Sequence, residues 1–285
     1  MIDFVANKHL GYFRVKSSIP VAPNILGARR SWRWLAPVLL SCAGMAHAMP
    51  IQTAIDIYST GAATTNTLIG GTSIDSHWTL ISSPGVYPAN TALYVVDTNG
   101  FPFNGAWAAD YGSSARWLAP QQSYKAGQTE VAGYYVYGTT FTLDSSKSNL
   151  TTALITGQVS SDNCTEDIII NGHSTGFNMR SLAGSAPCIK THYYFQIGAT
   201  NAVFLNSTGN VLFEVRSADY FVNGLNTIEF KVNNYTGGTQ NPTGLIVDLS
   251  GTVSTHSPEP ASIGLAGGAL AALLYVGRRW RLPKA

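Results

Sequence analysis

The sequence predicts an all-β fold, an antiparallel sandwich, for the middle of the chain. Three observations predict it. Apolar and polar residues alternate along several segments, turn residues recur between them at roughly ten-residue spacing, and no stretch between the two ends repeats apolar residues at helical intervals. Successive side chains of a strand point to opposite sides, so alternation marks a strand with one face buried.

From residue 49 to about 114 the chain is rich in Thr, Ser, Asn and Gly, with short β-like pieces at 54–58, 78–82 and 92–96. Beyond that the pattern sharpens. Tyr135, Tyr137, Thr139, Phe141 and Leu143 share one side of a strand, and Ala153, Ile155 and Val159 face inward within 151–160. Ile168, Ile169 and Ile170 run into Asn171-Gly172, a dipeptide that favours a hairpin turn because both residues tolerate positive φ. Ile228, Phe230 and Val232 face away from Thr227, Glu229 and Lys231, while Leu245, Val247 and Leu249 point inward within 244–253. No internal repeat is present.

The 285 residues are 45% hydrophobic but only 11% charged, against roughly 25% charged in ordinary soluble domains. Much of the apolar weight sits at the two ends. Setting aside 1–48 and 258–285 leaves about 209 residues, enough for one sizeable core or two small ones. The formal charge of +2 misleads, because arginines cluster in those ends. Between residues 49 and 257 seven basic residues face thirteen acidic ones, a net charge of about −6. An acidic domain of this kind argues against nucleic acid as a partner, since phosphate binding draws on clustered Lys and Arg.

Arg29-Arg30-Ser31-Trp32-Arg33 precedes an apolar run, 34–45, that closes in Ala46-His47-Ala48 before Met49-Pro50. A charged n-region, an apolar core and small residues at Ala46 and Ala48 together predict a signal peptide over 1–48, cleaved after Ala48. Leu39-Leu40-Ser41-Cys42 also reads as a lipidation box, but Arg33 intrudes on the uncharged stretch such a signal needs. The long segment upstream fits a start at Val15 or Val21.

At the other end Ser257-Pro258-Glu259-Pro260 leads into an apolar run from residue 263, which stops at Gly277-Arg278-Arg279-Trp280-Arg281. Residues 258–285, with the motif at 258–260, a helix at 263–277 and a basic tail at 278–285, strongly resemble the PEP-CTERM sorting signal. The resemblance implies that an exosortase-type membrane protease reads Pro258, Glu259 and Pro260, with Arg278, Arg279 and Arg281 as the stop. It further implies a Gram-negative bacterium that makes extracellular polysaccharide, transient residence in the inner membrane, and release to the cell surface or matrix after tail removal. The fourteen apolar residues 263–276 would rise about 21 Å as helix against a hydrocarbon core of about 30 Å, so the expected transmembrane helix is short. An ordinary C-terminal anchor is the alternative.

Over residues 115–253 the chain resembles the galactose-binding-like jelly-roll of carbohydrate-binding modules. Trp117, Tyr135 with Thr140-Phe141-Thr142-Leu143, Asp162 followed by Ile168 to Gly172, Gly224 to Phe230, and Asn241 to Leu245 carry the likeness. It implies a jelly-roll sandwich that binds extracellular polysaccharide. Trp107, Tyr111, Trp117 and Tyr134 offer flat faces for sugar rings, and Trp117 matches a position expected to be buried. Asp162, Asn163, Glu166 and Asp167 crowd a loop entering a strand, an oxygen-rich arrangement that suits structural Ca²⁺; a solvated turn is the competing reading. No other cofactor is expected.

Cys164 and Cys188 are the only cysteines left after signal removal, and export places them in an oxidising compartment, so a disulfide is expected. His173 and His192 add too little for a zinc site. Gly172-His173-Ser174-Thr175-Gly176 matches G-x-S-x-G, with Asp219 or Asp248 and then His256 following in hydrolase order. That motif works on a strained strand-to-helix turn, yet residues 177–187 show no helical period. A carboxylate pair for glycoside hydrolysis cannot be placed by spacing. The expectation is therefore a non-enzymatic surface or matrix protein, with a glycan-processing hydrolase and a purely structural module as alternatives.

Overall fold

The structure, a computed structural model, describes residues 50–255 apart from 66, 86, 100, 104–106, 125–128, 184–187, 207, 217–218 and 236–240. The expected cleavage site at Ala46 and Ala48, the motif Pro258, Glu259 and Pro260, the helix 263–277 and the arginines Arg278, Arg279 and Arg281 lie outside the described residues. Among the described residues no helix is long and apolar enough to cross a membrane.

Segments with one apolar side become strands. The first are short: β1 (Gln52–Ala54), β2 (Ala62–Thr64) and β3 (Thr67–Leu68). Then come β4 (Ile74–Ser82), β5 (Thr91–Val95), β6 (Leu118–Ala119), β7 (Gly133–Leu143), β8 (Ser148–Asp162), β9 (Cys164–Ile170) and β10 (His173–Ser174). A helix α1 (Met179–Ala183) and a 3-10 turn (Cys188–Lys190) lead to β11 (Tyr193–Gly198), β12 (Asn201–Leu205), β13 (Val211–Arg216), β14 (Gly224–Asn234) and β15 (Gly244–Thr255). All belong to one compact unit, Ala48–Glu259.

The alternation is realised in β7, where Tyr135, Tyr137, Thr139, Phe141 and Leu143 are buried while Tyr134, Thr140 and Thr142 are exposed. Ile228, Phe230 and Val232 are likewise buried in β14. Asn171 and Gly172 take φ of 50° and 80° and turn β9 into β10, with His173 opposite Ile170. Three local expectations are corrected. The piece expected at 54–58 is a strand only at Gln52–Ala54, because beyond it the Ser59 and Thr60 hydroxyls accept from Leu249 N and Val247 N where a backbone ladder would run. Residues 179–183 are helical although no period announces it. One short turn leaves no period to read, and Asn178 starts it by accepting from Ser181 N at 3.0 Å. In β15, finally, both faces are covered around Ile246, which is buried as fully as Leu245 and Val247.

Every strand pair among the described residues is antiparallel; β2 and β3 form a small sheet of their own, and the others form one sheet in the order β10-β9-β14-β7-β4-β5-β6-β15-β8-β11-β12-β13, with β1 also on β15. The path narrows at β6, which pairs with β5 through two residues and with β15 through one. Phe230 of β14 and Phe195 of β11 belong to opposite halves of this path, yet their rings lie 5.9 Å apart. The sheet has folded over on itself into a sandwich-like fold, and the main core fills the space between the halves, with Trp78, Leu80, Tyr137, Ile155, Val159 and Val247 fully buried. Burial of this kind contributes roughly 25 cal/mol per Å² of apolar surface.

A second, smaller core lies against the other face of β15, where Ile246 packs with Val96, Trp107, Ala115, Trp117, Ala119 and Tyr124. Gly244 permits it, since a Cβ there would collide with the Trp107 ring. Cys164 and Cys188 form the expected disulfide, Cα to Cα 5.2 Å, which ties the start of β9 to the 3-10 turn.

Candidate functional site

Antiparallel register arranges the outward side chains of β15, β8, β11 and β12 in rows. In one row Asp248 stands opposite Gln158, Gln158 opposite Tyr194, and Tyr194 opposite Leu205. In the next, Ser250, Thr156, Gln196 and Val203 stand side by side. Apart from Val203 they line a trough of about 420 Å³ that lies across the four strands, with Gly157, Phe195 and Leu249 between the rows and Gly209 also in the lining. Tyr194, Gln196 and Ser250 are exposed there, Tyr194 at 37%.

The lining is braced from within. Asp248 Oδ1 accepts from Ser59 Oγ at 3.0 Å and Oδ2 from Gln158 Nε2 at 3.4 Å, while Thr156 and Ser250 share a hydroxyl hydrogen bond of 2.8 Å. The turn carrying Gly209 is held by Asn206, whose Oδ1 accepts from Thr208 N and Asn210 N. On the next row of the same face, Ser160 accepts from Tyr111 Oη at 3.0 Å, and the Tyr111 ring meets His192 edge-on at 4.7 Å. Burial raises the Tyr111 phenol far above its ordinary range and lowers the His192 imidazole, so both are neutral at pH 7. The trough thus presents hydroxyls, amides, one phenol ring and, among the described residues that line it, a single charged group, Asp248.

The residues expected to meet a ligand are placed elsewhere, apart from Tyr111, which stands within electrostatic reach of Tyr194 and Asp248. Trp107 and Trp117 are buried in the second core and stack on each other at 4.3 Å. Tyr134 is 44% exposed on the other half of the sheet, under the Lys231 ammonium at 4.1 Å, and donates to Glu166. The four oxygen-bearing residues suggested for calcium serve separate protein donors. Asp162 accepts from Trp107 Nε1 at 2.6 Å, Asn163 from Tyr235 N at 2.7 Å, and Glu166 from Tyr134, Asn233 and Tyr235. Asp167 is half-buried and interacts with the Ser174 hydroxyl, and burial raises its carboxyl above the usual range. Among the described residues no three His, Cys, Asp or Glu gather to hold a metal ion.

Ser174 of the G-x-S-x-G match lies exposed on β10, its hydroxyl taken by Gly176 N at 3.1 Å. His256 is outside the described residues. Sequence reasoning missed Gln158, Tyr194 and Gln196, and named Asp248 only as a possible member of a hydrolase triad. Their outward positions follow from the alternation of β8, β11 and β15, but nothing along the chain says that those three strands are neighbours. In comparisons with known proteins, no family model, no curated protein and no solved structure matches this chain.

Proposed function

We propose that this is an exported, exosortase-sorted, non-enzymatic protein of the cell surface or extracellular matrix, whose jelly-roll sandwich binds extracellular polysaccharide in the trough across β15, β8, β11 and β12. The observation that carries the binding reading is the trough itself: an exposed phenol ring beside two carboxamides, two hydroxyls and a carboxylate, all held by strands rather than loops. Sugar rings need an apolar surface for their C–H faces and a mixture of donors and acceptors for their hydroxyls, and this lining supplies both. Rigid strands keep the groups in place before the ligand arrives, which reduces the ordering cost of binding. Hydrolysis of a glycoside calls on two carboxyl groups flanking the bond, and Asp248 is the single carboxylate among the described lining residues. Export by the signal peptide and processing by an exosortase-type protease then deliver the domain to the matrix.

Tyr194→Ala tests the reading. Binding of the exported protein to polysaccharide should weaken at least tenfold, the size expected when an aromatic anchor worth about 1.4 kcal/mol or more is lost. Unchanged binding by this variant removes the trough from the function, and release of reducing ends from any bound polymer restores the hydrolase alternative.

A further inference from the structure

Resting on the polysaccharide reading, we infer that the trough takes an uncharged polysaccharide and rejects polymers that carry carboxylate or sulfate groups. The inference comes from the distribution of charge. Among the described lining residues Asp248 is the sole charged group, and its two oxygens already accept from the neutral donors Ser59 and Gln158. No cation among the described lining residues offsets it. The second row runs on through Val203 to Glu214 of β13, which brings another carboxylate onto the same face. Glu214 is paired at 3.4 Å with Arg216, whose side chain is 85% exposed.

Three further cations of the domain are engaged with other partners. Lys231 lies over the Tyr134 ring and Arg180 over the Tyr235 ring, while Lys147 pairs with Asp144 in the β7–β8 turn. Residues 49–257 carry a net charge of about −6, so the wider field has the same sign. A concave surface lined by one sign of charge concentrates that field. Like charge brought against Asp248 would find no compensating donor, which is how a site excludes a partner. Hydroxyls, in contrast, can donate to the free lone pairs of Asp248 and exchange hydrogen bonds with Gln158 and Gln196. Four adjacent strands at roughly 4.8 Å spacing make the trough about 14 Å across, room for a short internal run of sugar rings.

Isothermal titration of the exported protein with two groups of polymers tests this. One group is uncharged: a β-1,4-glucan, a β-1,3-glucan and a galactomannan. The other is anionic: alginate and polygalacturonate. At least one uncharged polymer should bind, and the anionic pair should bind at least tenfold more weakly. Gln158→Lys places a cation beside Asp248 and should raise affinity for polygalacturonate at least tenfold, a gain that ~1 M salt erases because the Debye length falls to about 3 Å. Asp248→Asn should narrow the gap between the two groups. Binding of polygalacturonate by the wild type as tightly as any uncharged polymer overturns the inference while leaving polysaccharide binding in place. Failure of Gln158→Lys and Asp248→Asn to shift the preference overturns it too. Absence of binding to every polymer overturns both it and the function on which it rests.

Discussion

Asp162 ends β8 at the point where the chain crosses to β9 in the other half of the sandwich, and it is buried with only 4% of its surface exposed. Its carboxylate accepts from Trp107 Nε1, while burial pushes its pKa from 3.8 up to about 7. The folded state therefore holds this proton more tightly than the unfolded chain does. Stability from this group is fully present below the unfolded value near 4 and is lost as pH rises through about 7. Asp162→Asn keeps an acceptor for the indole and removes the titration. Urea unfolding should show wild type losing on the order of 3 kcal/mol between pH ~4 and ~8 relative to the variant. Parallel profiles for the two proteins would mean that the proton is not held there. The same residue explains a sequence-level surprise, since an aspartate expected near solvent or calcium instead anchors the second core through Trp107.

β8 is the element on which the trough depends. It is 15 residues long and pairs with β15 along one edge and β11 along the other. Gly157 lies on its inner side, where a Cβ would press the Asp248 carbonyl and stand 2.7 Å from the Phe195 ring. Backbone cannot withdraw as a flexible side chain can, so Gly157→Ala must part β8 from β15 or displace Phe195. A cost of about 1–3 kcal/mol follows from such overpacking, with a matching fall in the midpoint of thermal or urea unfolding. Because Gln158 and Asp248 flank this contact, polysaccharide affinity should fall as well. A variant as stable as wild type would show that the strand spacing is not set here.

At the scale of the whole molecule, the proposed function joins an acidic binding domain to end segments that would direct its export and processing. If the tail is read by an exosortase-type protease, Glu259→Ala should trap an uncleaved form, visible as a heavier band in the membrane fraction of a host with the matching enzyme. Wild type should lose residues 263–285 in that host. Equal processing of the two would remove the Pro-Glu-Pro motif from the mechanism and make the tail a plain anchor. A helix of fourteen apolar residues falls short of the bilayer by roughly 9 Å, at a fraction of a kcal/mol per Å, which suits a transient anchor. On that reading the positive-inside rule would hold Arg278, Arg279 and Arg281 on the cytoplasmic side and leave the motif facing the enzyme.

By itself the sequence determined what depends on neighbours along the chain. Alternation in β7, β8, β14 and β15 is a local consequence of strand geometry and one buried face, so Tyr137, Ile155, Phe230 and Val247 could be assigned to the core, and Asn171-Gly172 to a turn. Cys164 and Cys188 could be paired because the expected signal cleavage would leave no other thiol. Tertiary structure alone decided which strands lie side by side. Whether Gln158 and Asp248, 90 residues apart, share a row depends on β8 and β15 being adjacent and in register, and a period of two is compatible with many partners. The same holds for Ile246, whose place in β15 predicted an outward side chain until the loop bearing Trp107 and Trp117 folded over it. Aromatic residue type pointed to Trp107 and Trp117 as sugar platforms, but large apolar rings gain most where water is excluded. The ring left in the open trough is Tyr194, and register, not composition, put it there.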